Sequence, residues 1–282
     1  MRLPGGILRD GVRRRDFAFR PLTGVVELVL AEAAEENSPM PARVTKALAA
    51  ALEHVGGELP LPATVAALSV GDRQFLMARL AVEFGLGETW FTAPCRRCGE
   101  RFDFAVDYRN LPVKEAGPGY PFAEVETSLG RCRFRVPSGA DQEILAGLAD
   151  DRAAIPCLVK CCLVALAGRR VEDPLPSGDM MEAFSPGDVA RIEAALEEAA
   201  PEVAVSVQAA CPACGTAHGI DVDPYRILYN RLGEGLLREI HILASTYHWS
   251  EAEILGLSLH RRRRYLDLID EARGMTRSGR GT

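Results

Sequence analysis

The 282-residue chain lacks any apolar run able to span a membrane: GVVELVLAEAA, among its longest, is interrupted by acids. RLPGG after Met1 leaves no room for the hydrophobic region of a secretion signal, so a soluble, cytoplasmic protein is expected. The phosphate-binding loop, the GxSxG elbow and the HExxH helix are absent. A zinc deaminase needs an H-x-E motif upstream of P-C-x-x-C. The one histidine before PCRRC is His54, and Val-Gly-Gly follows it. Aromatics make up only 6%, and they do not interleave with arginine as in single-strand nucleic-acid binders. These absences argue against an enzyme, a small-molecule substrate and a membrane span, and make nucleic acid a minor reading.

What is present describes a folded body. The chain is 48% hydrophobic and 26% charged, a balance that builds a core rather than a disordered coil. Net charge is -6, unevenly spread. Residues 1–20 hold six Arg against two acids, and residues 261–282 hold seven against three. The body between carries 20 basic against 34 acidic groups, about -14, so basic ends flank an acidic middle.

Periodicity divides the chain. Residues 1–20 read as an N-terminal arm or a short strand pair, and residues 21–90 as a helical region. In that region Thr23 starts one helix, a second runs over 41–55, and Ser69 with Asp72 caps a third. Phe102, Phe104 and Val106 alternate with polar residues, and FAEVETSLGRCRFRVPSG reads as a hairpin turning near Leu129-Gly130. Residues 139–202 read as a helical insertion with starts at Ser138/Asp141 and Ser185/Asp188. Cys157, Cys161 and Cys162 fall in its apolar stretch IPCLVKCCLVALAG, and Cys132 falls in a strand; both settings are those of core thiols. Residues 224–274 read as C-terminal helices, with a capping box at Ser250/Glu253 and core positions Leu255, Leu259, Leu266 and Ile269. Residues 275–282 read as a flexible tail.

The chemistry lies in two C-x-x-C-G stretches, CRRCG from Cys95 and CPACG from Cys211, each leading into a strand-like run. Thioredoxin-type redox chemistry needs the pair at a helix start, so strands after both pairs argue against it. Two thiolates on a tight turn, with Gly supplying positive φ, form a zinc-ribbon knuckle, and two knuckles complete a closed tetrahedral site. Thiolate softness favours zinc or iron–sulfur; Cys95, Cys98, Cys211 and Cys214 are therefore the expected ligands of a structural Zn2+, with another thiolate-bound metal as the alternative. His218, four residues after Cys214, could replace a cysteine or stay free; with four thiolates available, a surface or supporting place is expected. The 112 residues between Cys98 and Cys211 make the metal a staple between distant segments. The expected module spans 91–138 and 203–223. The fold class is α+β: mainly helical, with a small antiparallel zinc-ribbon sheet closed by two distant CxxC knuckles.

The C-terminal region offers a contact surface. Tyr247, His248 and Trp249 precede the Ser250 cap, and His248-Trp249 read as a hydrophobic staple. Arg261, Arg262, Arg263 and Arg264 point all around a helix, so at least one must pack, pair with an acid or reach a partner. Tyr265 follows them.

LPGG, FRPLTGVVEL, LSVGDRQFLMARL leading to CRRCGERFDF, then CPACG, and last LLREIHILASTYHWSEAEILGLSLHRRRRYLDLI together cover most of the chain. Their order resembles the T4-type baseplate hub assembly proteins (chaperones) of contractile phage tails and phage-derived contractile injection systems. The resemblance implies a non-enzymatic assembly or structural part near the hub, with hub, spike or wedge proteins as partners. It places the protein in the cytoplasm during assembly and leaves open a place in the finished particle. The alternative is a zinc-ribbon nucleic-acid-binding protein.

Overall fold

A computed structural model describes residues 1–150, 153–167, 169–170, 184–204, 206–221 and 224–274. The expected tail, 275–282, lies outside them.

Strands β1 (Arg2–Arg9) and β2 (Val12–Phe19) form a hairpin. Its two-residue turn, Asp10-Gly11, takes positive φ at both positions, as tight hairpins require. Helices α1 (Gly24–Glu35) and α2 (Met40–Ala51) follow, then β3 (Leu52–Val55), α3 (Pro62–Ala66) and α4 (Val70–Glu83). Residues 1–20 are thus the strand pair and not an arm: Leu3 and Phe17 are buried in a core with Leu30, Val44, Leu48 and Leu76. The helix expected over 41–55 stops at Ala51. Leu52–Val55 pairs with β2 instead, Phe17 opposite Val55 and Phe19 opposite Leu52. Leu52 and Val55 still reach the core, from a strand.

Asp72 ties this unit together. It is fully buried at the third position of α4, where the Ser69 cap bonds its backbone N–H. Its carboxylate accepts from Gly5 N–H (2.7 Å), Gly6 N–H (2.9 Å), Ser69 Oγ (2.8 Å) and Tyr120 Oη (3.2 Å). A Cβ on Gly5 would lie 2.4 Å from Asp72 Oδ2, so the close approach needs glycine.

The middle of the chain is built of small antiparallel sheets. β4 (Glu88–Pro94) pairs with β5 (Arg101–Asp107). β6 (Val113–Lys114) is followed by the hairpin β7 (Phe122–Thr127) and β8 (Gly130–Arg135), then α5 (Gly139–Ala146) and α6 (Ala154–Cys162). β9 (Leu163–Leu166) and β10 (Arg169–Arg170) extend that hairpin into a sheet of order β10-β9-β8-β7. After α7 (Pro186–Ala199), β11 (Glu202–Val203) pairs with β6, and β12 (Ser206–Ala210) pairs with β13 (Ala217–Asp221).

Two expectations are corrected here. The 139–202 block is not purely helical, because Leu163–Leu166 leaves the apolar helix and pairs with β8, Phe134 opposite Leu163. The strands of the expected module, 91–138 and 203–223, do not form one small sheet; they belong to separate sheets. The second core holds Cys132, Phe134, Cys162 and Ile192. Burial pushes the Cys162 thiol up to about 12, as befits an inert core thiol. Cys157 and Cys161 are only half-buried.

Asp188 fastens α7 to the β7–β8 turn. Its carboxylate accepts from the backbone N–H and hydroxyl of both Ser128 and Ser185, and it pairs with Arg191 at 2.5 Å. These hydrogen bonds, Ser128's hydroxyl first, hold its carboxyl well below the ordinary 3.8. A folded-state pKa below the unfolded value stabilises the fold above 3.8, and the contribution is lost as pH falls through the depressed value. Asp188→Asn is therefore expected to lower the urea midpoint at pH 7 and to flatten the acid limb of the stability profile below pH 3.8. Parallel acid limbs in the two proteins would refute this role.

The C-terminal part is α8 (Pro224–Tyr247), α9 (Glu251–Leu255) and α10 (Leu259–Ala272). The Ser250/Glu253 capping box forms, and a break at Gly256–Ser258 lets Ser258 cap α10 separately. Leu255, Leu266 and Ile269 join Leu236 and Leu243 in a third core, while Leu259 joins the first. Among the described residues no helix is long and apolar enough to cross a membrane.

Candidate metal centre

Two hairpins bring the cysteine pairs together. β4 runs into Cys95 and β5 leaves after Gly99; β12 runs into Cys211 and β13 leaves after Gly215. The two turns repeat one hydrogen-bond pattern. Cys95 N–H donates to Glu100 O (2.8 Å), and Gly99 N–H to Cys95 O (3.0 Å). Cys211 N–H donates to Thr216 O (2.9 Å), and Gly215 N–H to Cys211 O (2.8 Å). Gly99 and Gly215 have φ of 77° and 69°, the left-handed conformation the sequence pattern requires.

The four sulfurs lie within 4.8 Å of one another. Cys95 Sγ is 3.6 Å from Cys214 Sγ, and Cys98 Sγ is 3.8 Å from Cys211 Sγ. Metal–sulfur bonds of about 2.3 Å at tetrahedral angles put sulfurs roughly 3.8 Å apart, the separation of these two cross-knuckle pairs. No other cluster of potential metal ligands occurs among the described residues. Cys95 and Cys211 are buried, Cys214 is half-buried and Cys98 is exposed. Phe102, Ala93, Phe104, Ala209 and Ile220 fill the space beneath.

The thiols are unequal. Hydrogen bonds from the Thr216 hydroxyl and N–H pull Cys214 down to about 6. The Cys98 N–H pulls Cys95 down as well. The Glu100 N–H also favours the Cys98 thiolate, but the Cys95 sulfur, desolvation and the other two sulfurs outweigh it and push Cys98 up to about 12. Four thiolates this close need a cation to ionise together, and a soft divalent metal would supply the charge. His218 is the supporting residue: it is buried on β13, its Nε2 lies 3.2 Å from Cys95 Sγ, and its ring is 5.8 Å from Phe102.

The C-terminal candidates divide. Tyr247, Trp249 and Tyr265 form one half-buried aromatic cluster, with ring centroids 4.8, 5.6 and 4.9 Å apart. Trp249 packs on the core that contains Ile254, as a staple does. His248 is exposed and ends α8 with φ of 57°, its N–H on Ala244 O. Arg261, Arg263 and Arg264 are exposed. Arg263 reaches Phe84 O (3.3 Å), and Arg264 lies 3.5 Å from Glu271. Arg262 is not a surface contact: it is fully buried between Glu27 (2.6 Å) and Glu239 (3.2 Å).

Trp90 belongs to none of the sequence motifs. It is 67% exposed on the outer face of β4, opposite Ala105. The parity of TWFTA was the available signal, since Thr89 and Phe91 face inward.

Compared with protein families, with curated proteins and with solved structures, the chain matches none.

Proposed function

We propose that this chain is a non-enzymatic assembly or structural component of a contractile-tail baseplate, near the hub of a phage or phage-like injection system. Its fold is held by a structural zinc on Cys95, Cys98, Cys211 and Cys214. The observation that carries the metal reading is the sulfur geometry: two matching knuckles present four thiols within 4.8 Å of one another, two of the cross-knuckle pairs at 3.6 and 3.8 Å. Four thiolates leave no open position for a substrate, which is the design of a structural site.

Support for the assembly role comes from the sequence resemblance. The segments that carry it also meet in space. Gly5 and Gly6 of LPGG bond Asp72 of LSVGDRQ, and Glu27 of TGVVEL pairs with Arg262 of HRRRR. Leu259 N–H donates to Leu22 O between the same two regions. These segments therefore define one connected body. Around it, the Tyr247–Trp249–Tyr265 cluster and exposed Arg261 and Arg264 supply the aromatic and guanidinium groups that anchor protein interfaces.

A second reading has one observation behind it: Arg96, Arg97 and Arg101 are exposed around the Cys98 knuckle, a basic tip on an acidic body. A pull-down of the tagged full chain, co-expressed with its neighbouring genes, separates the two. Recovery of a hub, spike or wedge protein, weakened in Trp249→Ala, is the expected result. Recovery of nucleic acid alone, with affinity falling linearly in log salt, would replace the assembly reading by nucleic-acid binding.

A further inference from the structure

The two knuckles align residue for residue, CRRCGERF from Cys95 and CPACGTAH from Cys211. Their backbone bonds match throughout. The eighth position is Phe102 in one and His218 in the other, each on the strand leaving its knuckle. Both side chains are buried and touch each other. Packing alone is satisfied by phenylalanine there, as the first knuckle demonstrates. Histidine adds a nitrogen, and that nitrogen lies 3.2 Å from Cys95 Sγ. A metal-bound Cys95 carries no proton, so the contact is then an Nε2–H···S hydrogen bond from the imidazole to the thiolate.

We propose that His218 is a fifth donor built into the metal site. With all four cysteines bound it holds the Cys95 thiolate by that hydrogen bond. Where the Cys95 thiolate is missing, His218 takes its place and completes a three-cysteine, one-histidine set, an ordinary structural zinc site. Little movement is needed, because Nε2 already lies beside the sulfur it replaces and β13 is fixed by pairing with β12, His218 opposite Ala209. Cys211 has no such reserve: the matching position in the other knuckle is Phe102, which offers no donor.

This inference rests on the metal reading, and its test keeps the two apart. The full-length protein, Cys95→Ala, Cys211→Ala and Cys95→Ala/His218→Phe are titrated with Co(II) and assayed for bound zinc. The expected result is one metal in the wild type with a four-thiolate spectrum. Cys95→Ala should bind one metal with a tetrahedral three-thiolate spectrum. Cys211→Ala and the double variant should lose it. A metal-free, folded wild type would sink the metal reading itself. Equal metal binding by Cys95→Ala and the double variant, or equal loss in Cys95→Ala and Cys211→Ala, would sink only the reserve ligand. His218→Phe alone keeps all four cysteines and the first knuckle's own packing residue. Its zinc affinity, read by competition with a chelator, should fall roughly 10-fold or more, the usual effect of losing a ligand's supporting hydrogen bond. Wild-type affinity would overturn the proposal even if the cysteine variants failed to fold.

Discussion

Chelating the proposed zinc is expected to unfold the β4–β5 and β12–β13 hairpins and to destabilise the chain by roughly 4 kcal/mol or more. A two-stranded hairpin is marginal alone in water. These two share a small apolar cluster around Cys95, Phe102 and Cys211, and their cysteine pairs stand 112 residues apart in sequence. A cross-link closing a loop of about 100 residues is worth roughly 4–5 kcal/mol on chain-entropy grounds. Structural zinc in isolated fingers contributes about 10–16 kcal/mol, which bounds the effect from above. Either figure is a large part of the ~5–15 kcal/mol that holds a typical domain folded. Urea titrations with and without chelator measure it, and Cys211→Ala should reproduce the chelated state. A shift below about 1 kcal/mol would mean the cysteines do not staple the fold.

Arg262→Ala is expected to cost about 3–5 kcal/mol, the usual result of removing one partner from a buried ion pair. Arg262 has no exposed surface; Glu27 and Glu239 take its guanidinium from two helices, and Leu257 O takes a third bond (3.3 Å). Without it, Glu27 is a buried carboxylate near Glu239 with no cation between them. Burial already pushes the Glu27 pKa above 4.5, and Arg262 pulls against that shift. Deleting the arginine raises it further. A carboxyl whose folded pKa is raised takes up its proton first in the folded state, so the variant regains stability as pH falls from above that pKa toward 4.5. The deficit at pH 7 should therefore narrow at pH 5. Arg264→Ala is the control: its pair with Glu271 is exposed and 3.5 Å long, a contact worth at most ~1 kcal/mol. Equal losses in the two variants would contradict the buried role.

Features set by local chemistry could be read from the sequence. The caps at Ser69, Ser138, Ser185 and Ser250 depend on residues three apart, and all four form. The knuckles depend on five residues each, and both take the expected turn. What could not be read depends on distant pairing. LEHV and LVAL are as apolar as the helices they continue, and each becomes a strand because β2 or β8 offers an edge. Nothing local in Leu52 or Leu163 records that edge. The separate sheets around the metal centre escaped for the same reason. Arg262 and His218 are intermediate cases. Leu259, Arg262, Leu266 and Ile269 fall on one heptad-like stripe, which singles out the buried arginine among four. Setting the two knuckles side by side singles out His218.

One metal on four thiolates is proposed to join distant parts of this chain. Elemental analysis of the purified full-length protein, with a circular dichroism spectrum of the same sample, tests it most directly. One zinc per folded chain, lost together with the folded spectrum of the ribbon hairpins on chelation, is the predicted result. A fully folded chain that contains no metal would contradict it.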